Sequence, residues 1–232
     1  MTQRRTVIVG ASGGIGGALA DALEARGDAV TRFSRSAADH ADRLDLEDED
    51  SIAQAGARCA EGGPLDLVIV ATGVLRGPGI EPEKTWRQLD PAMLARIFAI
   101  NTIGPALVAK HFLPLLPRRG RSVFSALSAR VGSIGDNRLG GWYGYRASKA
   151  ALNMMVKSLA IELSRSRPEA LCVALHPGTV DTRLSCPFQA NVPPNQLFSP
   201  AFAAERLLAV LDSLPVEASG GCYAWDGRRI VP

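Results

Sequence analysis

Tyr145 and Lys149, in the stretch GGWYGYRASKAALN, stand four residues apart on a run with helical periodicity, so both side chains share one helix face. A phenol beside an ammonium can exchange a proton with a substrate oxygen, but such pairs also arise on any helix, and the spacing alone leaves both readings open. A second group is the glycine turn of VIVGASGGIGGALA, which places Gly10, Gly14 and Gly16 just after a short apolar strand and at the mouth of a helix. Bare backbone there lets a pyrophosphate approach unpaired helix N–H groups. The spacing is G-x-x-x-G-x-G rather than the G-x-G-x-x-G dinucleotide fingerprint. A third group lies at the tip of the next strand, AVTRF, which runs into Ser34 and Arg35 with no carboxylate. An acidic residue there would bond a free ribose 2′-hydroxyl, and a cation would accommodate a 2′-phosphate. NADP(H) is therefore favoured as cofactor, with NAD(H) kept open.

These residues need a scaffold, and the chain supplies one. Short β-branched runs at 6–10, 29–33, 65–71, 121–126 and 170–177 alternate with the helical patterns GIGGALADALEARG, PAMLARIFAINTIGPALVAKHFLPLL and GYRASKAALNMMVKSLAIELSR. Continuous apolar strands are buried on both faces, and β-α-β-α alternation predicts an α/β fold with a doubly wound parallel sheet in three layers, one domain over residues 1–232. DRLDLE near 43–47 is expected to add a short strand and GGCYAWDG near 220–227 a last one. Residues 181–200 carry four prolines and no period, which predicts a long loop or two short helical turns covering a substrate beyond the strand ends; Phe188, Leu197 and Phe198 suggest an apolar lining.

Composition narrows the function classes. With 232 residues, 47% of them hydrophobic, a large core is available, and a net charge of +3 spread without a basic block gives no nucleic-acid signature. The four cysteines form no C-x-x-C and the three histidines show no ligand spacing, so no metal is expected. The amino terminus lacks the form of a signal peptide and no uninterrupted apolar run reaches membrane length. A cytoplasmic protein acting on a small molecule, without membrane contact, is the expectation.

Taken together, the motifs resemble the short-chain dehydrogenase/reductase family over nearly the whole chain. The carrying residues are the glycine motif Gly10-Ala-Ser-Gly-Gly14-Ile-Gly16, with Ser12 and Ile15 inside it; Tyr145-Arg-Ala-Ser-Lys149; Asn101 in FAINTIG; and His176-Pro-Gly-Thr-Val-Asp-Thr182. The run GSIGDNRLGGWYGYRASKAALNM is most similar to C-factor-like proteins and sniffer-type carbonyl reductases. The resemblance implies that Tyr145 passes a proton to or from a carbonyl or secondary alcohol while nicotinamide carries the hydride. It implies that Lys149 lowers the phenol's pKa and holds the nicotinamide ribose, and that Asn101 anchors a water beside it. Ala71 and Gly73 of VATG would flank the adenosine, Asp45 would receive the adenine amino group, and Pro177, Gly178, Val180 and Thr182 would border the nicotinamide. Trp142 and Tyr143 would wall the substrate. A homodimer or homotetramer is implied as well.

The serine departs from the pattern. The family's Ser-Ser-x-x-Gly reads here Ser128-Ala-Arg-Val-Gly132, so alignment on Gly132 puts Ala129 where the substrate-polarising serine belongs. Ser128 is the expected replacement if the strand bulges by one residue, with Ser133 the alternative. The missing serine also keeps open a dinucleotide-binding regulator with little turnover.

Overall fold

The computed structural model describes residues 3–232. Six parallel strands form one sheet in the order β2-β1-β3-β4-β5-β8: β1 Arg5–Val9, β2 Ala29–Phe33, β3 Leu67–Val70, β4 Ser122–Leu127, β5 Ala170–His176 and β8 Cys222–Ala224. β1, β3 and β4 are buried almost end to end, which is why their sequences are apolar without alternation. Alternate residues feed opposite cores. Val7 and Val9 of β1 pack with Ile52, Val108, Phe112 and Val156, from helices α2 (Glu49–Glu61), α4 (Gly104–Phe112) and α5 (Tyr143–Ser164). Ile8 packs with Leu19, Leu23, Leu207 and Leu211, from α1 (Gly14–Ala25) and α6 (Pro200–Ser213). The result is the expected three-layered, doubly wound α/β fold.

Strand order reverses at β1, whose neighbours are β2 and β3. Connections there leave on opposite faces, which opens a crevice outside the carboxyl ends of β1 and β3. Gly10 and Ala71 are the first residues past those ends.

Two local outcomes differ from the sequence expectation, while residues 181–200 form the expected pair of short helical turns. DRLDLE is no strand; it makes a single parallel bridge, Ser34 to Arg43, and then turns, because the Asp45 carboxylate accepts the Glu47 N–H and Asp48 caps α2. The long helix after Pro91 is segmented into α3 (Pro91–Phe98), a π-helical turn over Ala99–Ile103 and α4. The run Pro91–Leu115 is apolar and long enough to cross a membrane by composition, yet Ile97, Val108, Ala109 and Phe112 on it are buried in the protein's own core. Within 181–200 the structure shows 3₁₀ turns at Cys186–Asn191 and Pro194–Gln196, followed by β7 (Leu197–Phe198), which pairs with β6 (Thr179–Val180).

Candidate active site

A cleft of about 430 Å³ occupies the crevice. Of the residues expected to hold a dinucleotide, Gly10, Ser12, Ser34, Arg35, Asp45, Ala71 and Gly73 line it. Gly10 has φ +94°, and a Cβ there would stand 2.8 Å from Thr72 Cγ2. A Cβ on Gly16 would stand 2.2 Å from the Gly10 carbonyl oxygen, and one on Gly14 2.8 Å from Thr182 Cγ2. The strand-to-helix turn therefore closes only with glycines, and Thr182 sits over the start of α1. Asp48, Asp90 and Ser199 cap α2, α3 and α6 with their side chains, whereas Gly13, which precedes α1, has no side chain to cap it. Its first N–H groups are free to meet an anion.

Ser34, Arg35 and Ser36 form the far wall, with Ser36 Oγ 3.5 Å from Ser12 Oγ. No ion pair among the described residues involves Arg35, in contrast to Arg32, which is bound by Asp21 and Glu24. Thr72, which sequence reasoning passed over, also lines the cleft, and its buried Oγ1 has no hydrogen-bond partner among the described residues. An unpaired hydroxyl beside a glycine cradle and an uncapped helix start is the donor set a nucleotide would satisfy. The fit to a dinucleotide is good at its adenosine end.

At the other end of the crevice, Gly73, Asn101 and Lys149 converge. A Cβ on Gly73 would stand 3.4 Å from Lys149 Nζ and 3.6 Å from Asn101 Oδ1. Lys149 is only 2% exposed, and Nζ donates to the Leu127 carbonyl at 2.8 Å. Gly132 makes this depth attainable, since a Cβ there would meet Lys149 Cβ at 2.8 Å. Tyr145 lies on the same helix face, its ring centroid 6.0 Å from Lys149 Nζ, packed in a cluster with Leu75, Ile80, Ile97 and Ala129.

Asn101 sits in the π-helical turn with no exposure. Its Oδ1 accepts from Val74 N–H and its Nδ2 donates to the Val74 carbonyl, both at 2.8 Å, and also to Ser148 Oγ at 3.1 Å. The side chain thus splices the loop after β3 to α5. Both Nδ2 protons are thus taken, by the Val74 carbonyl and Ser148 Oγ, and Oδ1 accepts from the Val74 main chain.

The serine expectation is corrected. β4 pairs with β5 without a bulge through Leu127, and Ser128 N–H continues the ladder to the Leu175 carbonyl. Ser128 Oγ consequently turns to α5 and donates to Asn153 Oδ1 at 2.7 Å. Ser133 Oγ accepts from the Asp136 N–H. The residue clustered with Tyr145 is Ala129, a methyl group.

The acid–base direction also differs from expectation in the protein alone. Burial pushes the Tyr145 phenol up to about 12, and burial pulls the Lys149 ammonium down to about 8. The lysine raises no opposing effect on the phenol large enough to reverse this.

Pro177 and Gly178 follow β5 at the same edge of the sheet. Gly178 has φ +79° and stands against Phe198 and Trp225. Val180 is buried in the β6–β7 pair. Of the aromatic residues in 181–200, Phe188 reaches the site, its ring 5.0 Å from that of Trp142, which in turn lies 6.4 Å from Tyr145. Phe198 does not; it stacks with Trp225 and Phe202.

Residues 4–192 match the family model described as short chain dehydrogenase. The chain is 35% identical over 172 residues to C-signal of Myxococcus xanthus, covering 72% of this chain and 93% of that protein. It is 33% identical over 230 residues to 1-hydroxy-2-glutathionyl-2-methyl-3-butene dehydrogenase of Rhodococcus sp. (strain AD45), covering 95% and 96%. A short-chain dehydrogenase/reductase structure from Burkholderia multivorans with bound NADP superposes with a TM-score of 0.83 at 25% identity, each chain fully covered. The glycine cradle, the buried Tyr-x-x-x-Lys pair and these likenesses converge: the chain belongs to the short-chain dehydrogenase family and is an oxidoreductase of that kind.

Proposed function

We propose that the protein is an NADP(H)-dependent oxidoreductase that interconverts a carbonyl and a secondary alcohol. The observation that carries this reading is the convergence of Lys149, Gly73 and Asn101 at the inner end of the crevice, with Tyr145 on the same helix face as the lysine. When bound, the nicotinamide supplies or accepts the hydride. Tyr145 protonates the substrate oxygen in reduction and takes its proton in oxidation. With burial pushing its pKa up to about 12, the phenol stands in its protonated form near neutral pH, the form that gives a proton in reduction. Lys149 Nζ, which donates to the Leu127 carbonyl and stands close to Gly73, would donate to a ribose hydroxyl of the bound dinucleotide. Trp142 and Phe188 give the substrate an apolar, aromatic wall.

NADP(H) is favoured over NAD(H) because Ser34, Arg35 and Ser36 offer hydroxyls and an unpaired guanidinium at the tip of β2. The NADP carried by the Burkholderia multivorans structure supports the same choice. A cytoplasmic location agrees with three buried free thiols, Cys59, Cys172 and Cys222. A homodimer or homotetramer agrees with the exposed Met154 and Ile161 on α5.

One observation favours a second reading. The residue beside Tyr145 is Ala129, the Ser128 hydroxyl donates to Asn153 instead, and the chain resembles C-signal in sequence. A dinucleotide-binding regulator with little turnover would tolerate that arrangement. Steady-state oxidation of NADPH and NADH against a panel of aldehydes and ketones separates the two. Turnover with NADPH, with Arg35→Leu weakening NADPH but not NADH, supports the enzyme; tight NADPH binding with no turnover on any carbonyl supports the regulator.

A further inference from the structure

Glu83 lies in the segment between β3 and α3, outside any regular element, and only 2% of its surface is exposed. A carboxylate in that environment needs compensation. No ion pair among the described residues involves it. Its partner is the amino end of α5: the Gly144 N–H lies 3.1 Å from Oε1 and 3.2 Å from Oε2. That helix has no cap from its own N-cap residue, Trp142, so Glu83 supplies from a distant segment the anion its positive end lacks. The approach is close enough to require glycine, since a Cβ on Gly144 would stand 2.9 Å from Glu83 Oε1 and 3.0 Å from Leu94 Cδ2.

The main chain of the same residue does a second job. Trp142 has φ 50° and ψ 45°, a left-handed conformation that is sterically costly for a residue with a bulky side chain. Such a conformation persists only where the surroundings hold it. Here the Trp142 N–H donates to the Glu83 carbonyl, and the Trp142 carbonyl accepts from Arg146 N–H. The conformation aims the indole between Tyr145 and Phe188.

We infer that Glu83 is a positioning residue: its carboxylate clamps the first turn of α5 and its carbonyl locks Trp142, so that Tyr145 and the Trp142 indole beside it keep their places at the substrate space. Tyr145 directly follows Gly144, and a displacement of about 1 Å at a reacting group can cost about 100-fold in rate. Glu83 touches neither the dinucleotide cleft nor, by this account, the substrate. This inference rests on the oxidoreductase reading for its kinetic consequence but not for its structural one.

The test combines amide hydrogen exchange with kinetics on the full chain. In Glu83→Ala, exchange at Trp142, Gly144 and Tyr145 should speed up at least about tenfold. NADPH affinity should stay within about twofold and kcat should fall about 10- to 100-fold. Glu83→Gln keeps an oxygen to accept from Gly144 and should restore most of both. If Glu83→Ala does not fold, Glu83→Asp, one methylene short of Gly144, is read in the same way. Unchanged exchange at 142–145, or NADPH affinity lost in step with kcat, overturns the inference. If the wild-type protein turns over no carbonyl, the exchange data still decide the role of Glu83, so the two failures are distinct.

Discussion

Replacing Lys149 with methionine should stabilise the protein while disabling it. The ammonium is 2% exposed, its hydrogen-bond partner is the neutral Leu127 carbonyl, and burial pulls its pKa from 10.5 to about 8. At about 1.36 kcal/mol per pH unit, holding the charge inside the folded protein costs about 3 kcal/mol near neutral pH. Between about pH 8 and 10.5 the unfolded chain carries the lysine proton and the folded chain does not, so stability rises with pH across that window and the full cost applies below it. Lys149→Met keeps an unbranched apolar stem and removes the charge, at a loss of about 1 kcal/mol for the unpaired Leu127 carbonyl. The variant should therefore be about 2 kcal/mol more stable near pH 7 and within about 1 kcal/mol of wild type near pH 9.5. Urea unfolding of both proteins without dinucleotide, at the two pH values, measures this directly. A variant less stable than wild type near pH 7, or a gap that does not change with pH, would refute the placement of Lys149 as a buried, uncompensated cation.

Ser128→Ala should leave turnover near wild type and cost about 1 kcal/mol in urea unfolding, because Asn153 Oδ1 loses its donor while no substrate contact is removed. Ala129→Ser should instead raise kcat/KM on simple ketones by about tenfold or more, since it adds a hydroxyl beside Tyr145; one such donor is worth about 100-fold or more in preorganised sites. Gly16→Ala forces a Cβ to within 2.2 Å of the Gly10 oxygen, so NADPH affinity by fluorescence titration should fall at least about tenfold.

The sheet, its parallel sense and the glycine turn were legible because each is written in local pattern: apolar runs buried on two faces, then residues without a Cβ at a turn. What was not legible depended on distant partners. α2 went unnamed because EDSIAQAGARCAE has a polar face and few large apolar residues; its start is set by Asp48 and its packing by Ile52 and Cys59. DRLDLE alternates like a strand, but Asp45 and Asp48 spend their carboxylates on turn and cap N–H groups. The serine could not be assigned because the direction of Ser128 depends on the unbroken β4–β5 register and on Asn153, which lies a helix away. Glu83 and Thr72 carried no motif. The burial of one and the unpaired hydroxyl of the other exist only in three dimensions.

The proposed chemistry depends on Tyr145 as the group that moves the proton beside the nicotinamide. Comparing wild type with Tyr145→Phe for NADPH affinity and for NADPH oxidation in the presence of a reducible carbonyl tests this most directly. Affinity within about threefold and turnover lower by at least about 100-fold are predicted. Turnover that survives loss of the phenolic hydroxyl would contradict it.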